Sequence, residues 1–258
     1  MRDRAIRMLS LGIRQIKDPY YQGFAAQLSF YFILSIVPII ILISQIMGYF
    51  LETTINDAMG WILNYIEGEL AKVIKDMLSY RSAGAVNLAY VIVALWAASR
   101  AQFSMMRLTN FTYTEGASTG RGFLRDRLRA MVTMGVTIII IIISLVVLLY
   151  GGKLLELLTD TQEIWLFLRW PVAFALFLFM IGFNYYMLPS KRVGIKEIIP
   201  GSIFASVGLL LVTLVYSIYI DRVANYDVLY SSLANVVAML FWFYFLAWVL
   251  GLGVIVNK

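Results

Sequence analysis

Charged residues fall in clusters along the chain, and between them lie six uncharged intervals, 19–51, 82–99, 130–152, 170–190, 198–220 and 228–257. A bilayer core about 30 Å thick requires about 20 apolar residues of helix. The shortest interval, 82–99, reaches that length by running past Arg100 through Phe103, Met105 and Met106. The pattern predicts an all-α polytopic membrane protein with six transmembrane helices, near 24–50, 84–107, 129–150, 166–188, 198–220 and 231–255. Barrel strands are excluded because the runs are too long and do not alternate. No internal repeat is visible, which argues against a transporter built from two inverted halves.

Polar and apolar positions alternate differently in the connections. Residues 1–18 place Ile6, Leu9, Ile13 and Ile16 at helical spacing among Arg2, Arg4, Arg7, Arg14 and Lys17. That is the pattern of a basic amphipathic helix lying on the inner leaflet. The connection 52–81 carries Ile55, Met59, Ile62, Ile66, Leu70, Val73 and Met77 at spacings of three and four, predicting an extracytoplasmic amphipathic helix. A second, shorter outer helix is expected in 154–168.

Composition agrees with the pattern. The 258 residues are 61% hydrophobic and 14% charged, with a mean hydropathy of +0.82, against about 45 to 50% and about 25% for soluble domains. A single membrane domain, 1–258, is expected. Six spans put both termini on one side, and 15 of the 21 Lys and Arg fall on that side. The positive-inside rule makes it cytoplasmic. The basic balance is thereby an orientation signal, and no nucleic-acid partner is implied by it. The first apolar run is too long for a cleavable signal peptide and lacks a small-residue cleavage pattern. The absence of Cys and His removes thiolate nucleophiles, catalytic triads and the usual zinc sites. No catalytic residue, metal or cofactor is expected.

Several polar residues interrupt the apolar runs. Pro38 falls near the middle of the first span, where it removes one ladder hydrogen bond, frees a carbonyl near Leu34 and predicts a kink. The other prolines, Pro19, Pro171, Pro189 and Pro200, are read as boundary markers. Gln27, Tyr31 and Ser35 share the Pro38 helix, and the second span ends with Arg100, Arg107 and Asn110. Two readings stand for these groups: interhelical packing, or a polar path that binds substrate. Arg100, about 24 Å along its helix from Gly84, either snorkels to the headgroups or holds an anion. Arg121, Arg125, Arg127 and Arg129 suit anionic headgroups, although topology alone also accounts for a basic inner loop. Small residues at i, i+4 spacing, Gly201 with Ala205, Ser202 with Ser206 and Ala94 with Ala98, permit close helix contact.

The segment Ala25-Ala26-Gln27-Leu28-Ser29-Phe30-Tyr31 running into Leu34-Ser35-Ile36-Val37-Pro38, then Trp96, Ser99-Arg100, Asn110 and Tyr113, resembles the YihY/BrkB family of bacterial inner-membrane proteins. Tyr185-Tyr186, Leu188-Pro189, Pro200-Gly201, Tyr230 and Trp242 with Tyr244 continue the likeness in order. Ser231 and the late position of Asn257 depart from it. The resemblance implies a six-helix plasma-membrane protein. Its older ribonuclease BN label implies metal-dependent hydrolysis with several His ligands, which this chain does not have, so a nuclease is rejected. The expected function is translocation of an anionic lipid, lipid-linked or other amphipathic envelope substrate. The alternative is a non-transporting envelope scaffold that binds anionic lipid and recruits a partner. The expected partners are anionic membrane lipids and further copies of the chain in a homo-oligomer.

Overall fold

The computed structural model describes residues 18–50, 88–159, 163–191, 193–223 and 231–258. The interfacial helix expected before residue 18 and the amphipathic connection 52–81 lie outside these residues. Among the described residues all regular structure is helical: α1 (Pro19–Phe50), α2 (Leu88–Tyr113), α3 (Phe123–Thr159), α4 (Glu163–Met187), α5 (Ile195–Val223) and α6 (Ser231–Val256). Among the described residues five stretches are long and apolar enough to cross a membrane, Pro19–Ile43 in α1, Phe123–Gly152 in α3, Phe167–Met187 in α4, Ile195–Ile220 in α5 and Val236–Val256 in α6. The chain is therefore a polytopic α-helical membrane protein. The remaining helix, α2, contains Arg100, Gln102, Arg107 and Asn110, which dilute its apolar character.

Local chemistry sets the helix starts. Asp18 Oδ1 accepts the Tyr20 N–H at 3.0 Å, an N-cap followed by Pro19 at the first helical position, where its missing N–H costs nothing. Glu197 reaches back to the Gly194 N–H at 3.0 Å, half of a capping box that starts α5 at Ile195. Pro200 consequently lies inside α5 rather than at its boundary, and Pro171 lies inside α4. The expected short outer helix over 154–168 is also absent as a separate element among the described residues: 154–159 prolong α3 and 163–168 begin α4. Trp165 packs so closely on Gly151 and Gly152 that a Cβ at Gly151 would overlap its ring. Both helices are thereby carried on to this contact. Helix α1 is continuous through Pro38.

The chain divides into two compact units, one comprising Met1–Ile33, Arg100–Ala130 and Ile181–Lys258, the other Leu34–Ser99 and Met131–Met180. In α1 the division falls directly before Leu34, whose carbonyl is the one that Pro38 deprives of a donor. The second unit is built on Leu42 of α1, Ala94 and Ala98 of α2, and Met134 and Ile138 of α3, with Ile39, Leu95 and Ile142 packed against them. The expected Ala94/Ala98 contact face is thus buried.

In the first unit α5 and α6 run antiparallel. Gly201 meets Gly253 and Asn257, Gly208 meets Val249, and Tyr216 stacks on Trp242 with ring centroids 5.0 Å apart. Ala205 is completely buried and lies under Gly253, while Ser202, on the neighbouring face, lies against Gly182 of α4. Both small-residue pairs of α5 therefore mark real packing faces. The buried hydroxyls are satisfied within their own helices, Ser202 donating to the Ile198 carbonyl at 2.7 Å and Ser206 to the Ser202 carbonyl at 2.8 Å. Tyr185 is buried and donates its hydroxyl to the Leu250 carbonyl at 2.8 Å, tying α4 to α6. Asn257 Oδ1 accepts the Gly201 N–H at 2.6 Å, which gives the last turn a structural task.

Candidate anion-binding site

The first unit contains a cavity of about 740 Å³ formed where the α2–α3 and α4–α5 connections meet. Arg121, Arg125, Asp126 and Arg129 line one side of it, and Tyr186, Met187, Pro189, Ser190, Lys191, Val193 and Gly194 the other. Four cations and one carboxylate leave three positive charges in excess. Arg125 and Arg129 project together because they are one helical turn apart at the start of α3.

Two side chains hold the connections in register. Asn110, 2% exposed at the end of α2, donates from Nδ2 to the Thr119 carbonyl at 3.2 Å and accepts the Ser190 N–H on Oδ1 at 2.7 Å. It thus binds both connections through their backbones. Asp126, also buried, accepts the Arg121 N–H on Oδ2 at 2.8 Å. The carboxylate presses so closely on Gly120 that a Cβ there would overlap it. The Arg121 guanidinium donates to the Ser190 carbonyl, a second tie between the two connections beside Asn110. Nearby, Lys258 pairs with Glu115 at 3.2 Å. Tyr113 lies beyond the end of the second expected span. Burial first and the Glu197 carboxylate second push its phenol up to about 12, so it stays a neutral hydrogen-bonding group at working pH.

Of the four arginines read together from the sequence, three line the cavity and Arg127 does not. Two positions from both Arg125 and Arg129, it falls on the opposite face of α3. It is 5% exposed, lies over the Phe103 ring at 5.5 Å from guanidinium carbon to centroid, and is within electrostatic range of Arg100 and Tyr31. Gln102 adds a 2.6 Å hydrogen bond to Asn184 of α4. A polar row, lined by none of the cavity residues, thus contains the buried Arg127 and its partly buried neighbours Arg100 and Tyr31. Arg107 is half-buried. Gln27 borders a shallow groove on α1 with Pro19, Tyr20, Gly23 and Phe24. Ser35 belongs to the second unit, where it is fully buried and its Oγ has no hydrogen-bond partner among the described residues.

Sequence reasoning missed Lys191 as a lining cation, and it missed Asp126 as an organiser of the loop. The signal for Asp126 was present, since it is the single acid among four arginines. Among the described residues no three acidic side chains gather as a metal site would require.

A family model described as virulence factor BrkB matches residues 13–258. YfkH of Bacillus subtilis, whose name likens it to a ribonuclease, is 25% identical over 247 residues, covering 92% of this chain and 88% of its own length. The UPF0761 membrane protein PSHAa0171 of Pseudoalteromonas translucida is 33% identical over 72 residues, 27% of this chain and 24% of that one. No solved structure matches the chain.

Proposed function

The chain belongs to the virulence factor BrkB family of membrane proteins, and from that premise we propose that it translocates an anionic amphiphile, capturing the headgroup in the basic cavity. The observation that carries this reading is the cavity itself, with four cations brought by two connections and one helix to the ends of apolar spans. Such a cluster costs self-repulsion, which a bound anion relieves. Arginine predominates, and its planar fork suits phosphate oxygens better than the point charge of lysine. The apolar side of the cavity, with Tyr186, Met187 and Val193, accommodates the part of the ligand next to its headgroup. Along α1, within the same unit as the cavity, Gln27 and Tyr31 supply polar groups for a substrate in transit. The Arg127 row provides charge deeper along α3.

Reconstitution in liposomes tests the proposal. The purified chain should accelerate movement of a fluorescent anionic phospholipid between leaflets. Replacing Arg125 and Arg129 together by Gln should slow it by about tenfold or more, the equivalent of one charged hydrogen-bonding contact. Restoring the charge with Lys should recover part of the rate. The scaffold reading draws on a different feature, an apolar groove of about 810 Å³ along α5 and α6 with Tyr216 and Trp242 in its wall. A wild-type protein that accelerates no lipid in a broad panel would favour the scaffold.

The orientation belongs to the same proposal. The excess of Lys and Arg assigns both termini and the cavity to the cytoplasmic side. Because the chain has no Cys, single-Cys variants report without background. Ala117→Cys, exposed after α2, should resist an impermeant thiol reagent in intact cells, and Glu67→Cys should react. The opposite labelling would reverse the assignment. Gly120 is unsuitable as a reporter because Asp126 occupies the space of its side chain.

A further inference from the structure

The charge and shape of the cavity specify its ligand more closely than the word anionic does. Its cations come from three separate stretches, Arg121 before α3, Arg125 and Arg129 on α3, and Lys191 after α4, so they approach a central ligand from different directions. The carboxylate among them, Asp126, accepts the Arg121 backbone N–H, and the excess of positive charge over negative is three. A phosphodiester headgroup brings one negative charge and two unesterified oxygens. A phosphomonoester brings nearly two charges at neutral pH and three strong acceptor oxygens. Only the second approaches the excess charge and offers an oxygen to each direction of approach.

We propose that the cavity is a phosphomonoester site, selecting the terminal phosphate of a membrane-anchored amphiphile over phosphodiester headgroups. The inference rests on the anionic-amphiphile reading above and narrows it. Membrane anchorage follows from the surroundings. Phe123, Leu124 and Leu128 are 70%, 70% and 55% exposed on the same turns of α3 that carry the arginines. An exposed apolar face beside a cationic cavity at the end of a span meets lipid tails and headgroups together. A free phosphate compound shares the headgroup chemistry but makes no use of that face.

A consequence is pH dependence that originates in the ligand. Arginine keeps its charge across the neutral range, whereas a phosphomonoester takes up its second proton near pH 6. The groups facing the ligand are Arg121, Arg125, Asp126 and Arg129 from the α3 side and Tyr186 and Lys191 from the α4 side. Any change in them would alter diester binding as well, so a diester lipid is the internal control.

The full-length chain in nanodiscs, titrated with phosphatidic acid or phosphatidylglycerol of identical acyl chains, decides the matter. At about pH 7.5, phosphatidic acid should bind about tenfold more tightly, and at about pH 5.5 that advantage should shrink several-fold while phosphatidylglycerol is unchanged. Arg125→Gln with Arg129→Gln should abolish the preference. The Lys pair, which preserves charge, should keep the binding but weaken the discrimination, and matched elution profiles guard against misfolding. Equal affinity for the two lipids, lost together in the Gln variant, would overturn the monoester inference and leave the anionic-amphiphile reading intact. Lipid binding unaffected by the Gln variant would overturn both. Glycerol 3-phosphate that displaces phosphatidic acid at equal concentration would overturn the requirement for a membrane anchor, and failure to displace it would support that requirement.

Discussion

Gly201→Ala should cost the folded chain about 3 kcal/mol, the upper part of the range for overpacking a close helix contact. A Cβ at this position would overlap the Gly253 carbonyl oxygen and the Asn257 side chain. A clash with a flexible side-chain tip is relieved by rotation, but this one is with backbone. The facing residue gives no room either, because Gly253 lies against the Tyr185 hydroxyl and its own Cβ would be 2.9 Å from Ala205 Cβ. Relief therefore means separating α5 from α6, which breaks the Gly201 to Asn257 hydrogen bond and strains that of Tyr185. Gly135→Ala, with nothing within 4 Å of the added carbon, should instead be neutral or stabilising by up to about 1 kcal/mol, since alanine is the better helix former. Thermal unfolding in one detergent should lower the midpoint for the first variant and hold or raise it for the second. Equal midpoints would show that α5 and α6 do not approach this closely.

Asn110→Ala should also be damaging, by roughly 1 to 3 kcal/mol, because it removes at once two part-buried hydrogen bonds that join separate connections. The Ser190 N–H loses its acceptor and the Thr119 carbonyl its donor. The effect should be local. Trypsin cleavage after Arg121 and Lys191 should quicken and headgroup binding should fall, while the α5–α6 contact holds. Asn110→Asp preserves the acceptor for Ser190 but removes the donor to Thr119, and should fall between wild type and Ala. If cleavage at both connections were unchanged in the Ala variant, Asn110 would not be what joins them.

Asn110 also shows where sequence reading stops. Its residue type and place near a helix end are visible in one dimension, and they suggested a substrate contact. Its partner Ser190 is eighty positions away, and no spacing rule reaches across that interval. The arginine loop was only partly legible, for a different reason. Four arginines within nine residues look like one patch until helical phase separates Arg127 from Arg125 and Arg129. Lys191 was passed over because it belongs to another connection. Five of the six expected spans were legible as apolar runs, since burial in lipid imposes a length and a composition that packing details do not disturb. The pairs Gly201/Ala205, Ser202/Ser206 and Ala94/Ala98 were legible because a small residue one turn from another marks a contact face whatever the partner. The junction of α3 with α4 was misjudged for lack of the Trp165 contact, which carries both helices past their charged residues.

The low apolar character of α2 has a bearing on biogenesis. A helix holding Arg100, Gln102 and Arg107 partitions poorly into lipid by itself, whereas α3, the next in order among the described residues, contains the most apolar of the five candidate spans. In the folded chain Ala94 and Ala98 of α2 pack with Leu42 of α1 and Met134 and Ile138 of α3, and Gln102 bonds to Asn184 of α4. During synthesis α2 emerges before α3 and α4. We therefore expect α2 to leave the insertion machinery late, once α3 and α4 have emerged to cover its polar side chains, and a chain truncated after α2 to insert less completely than one truncated after α4.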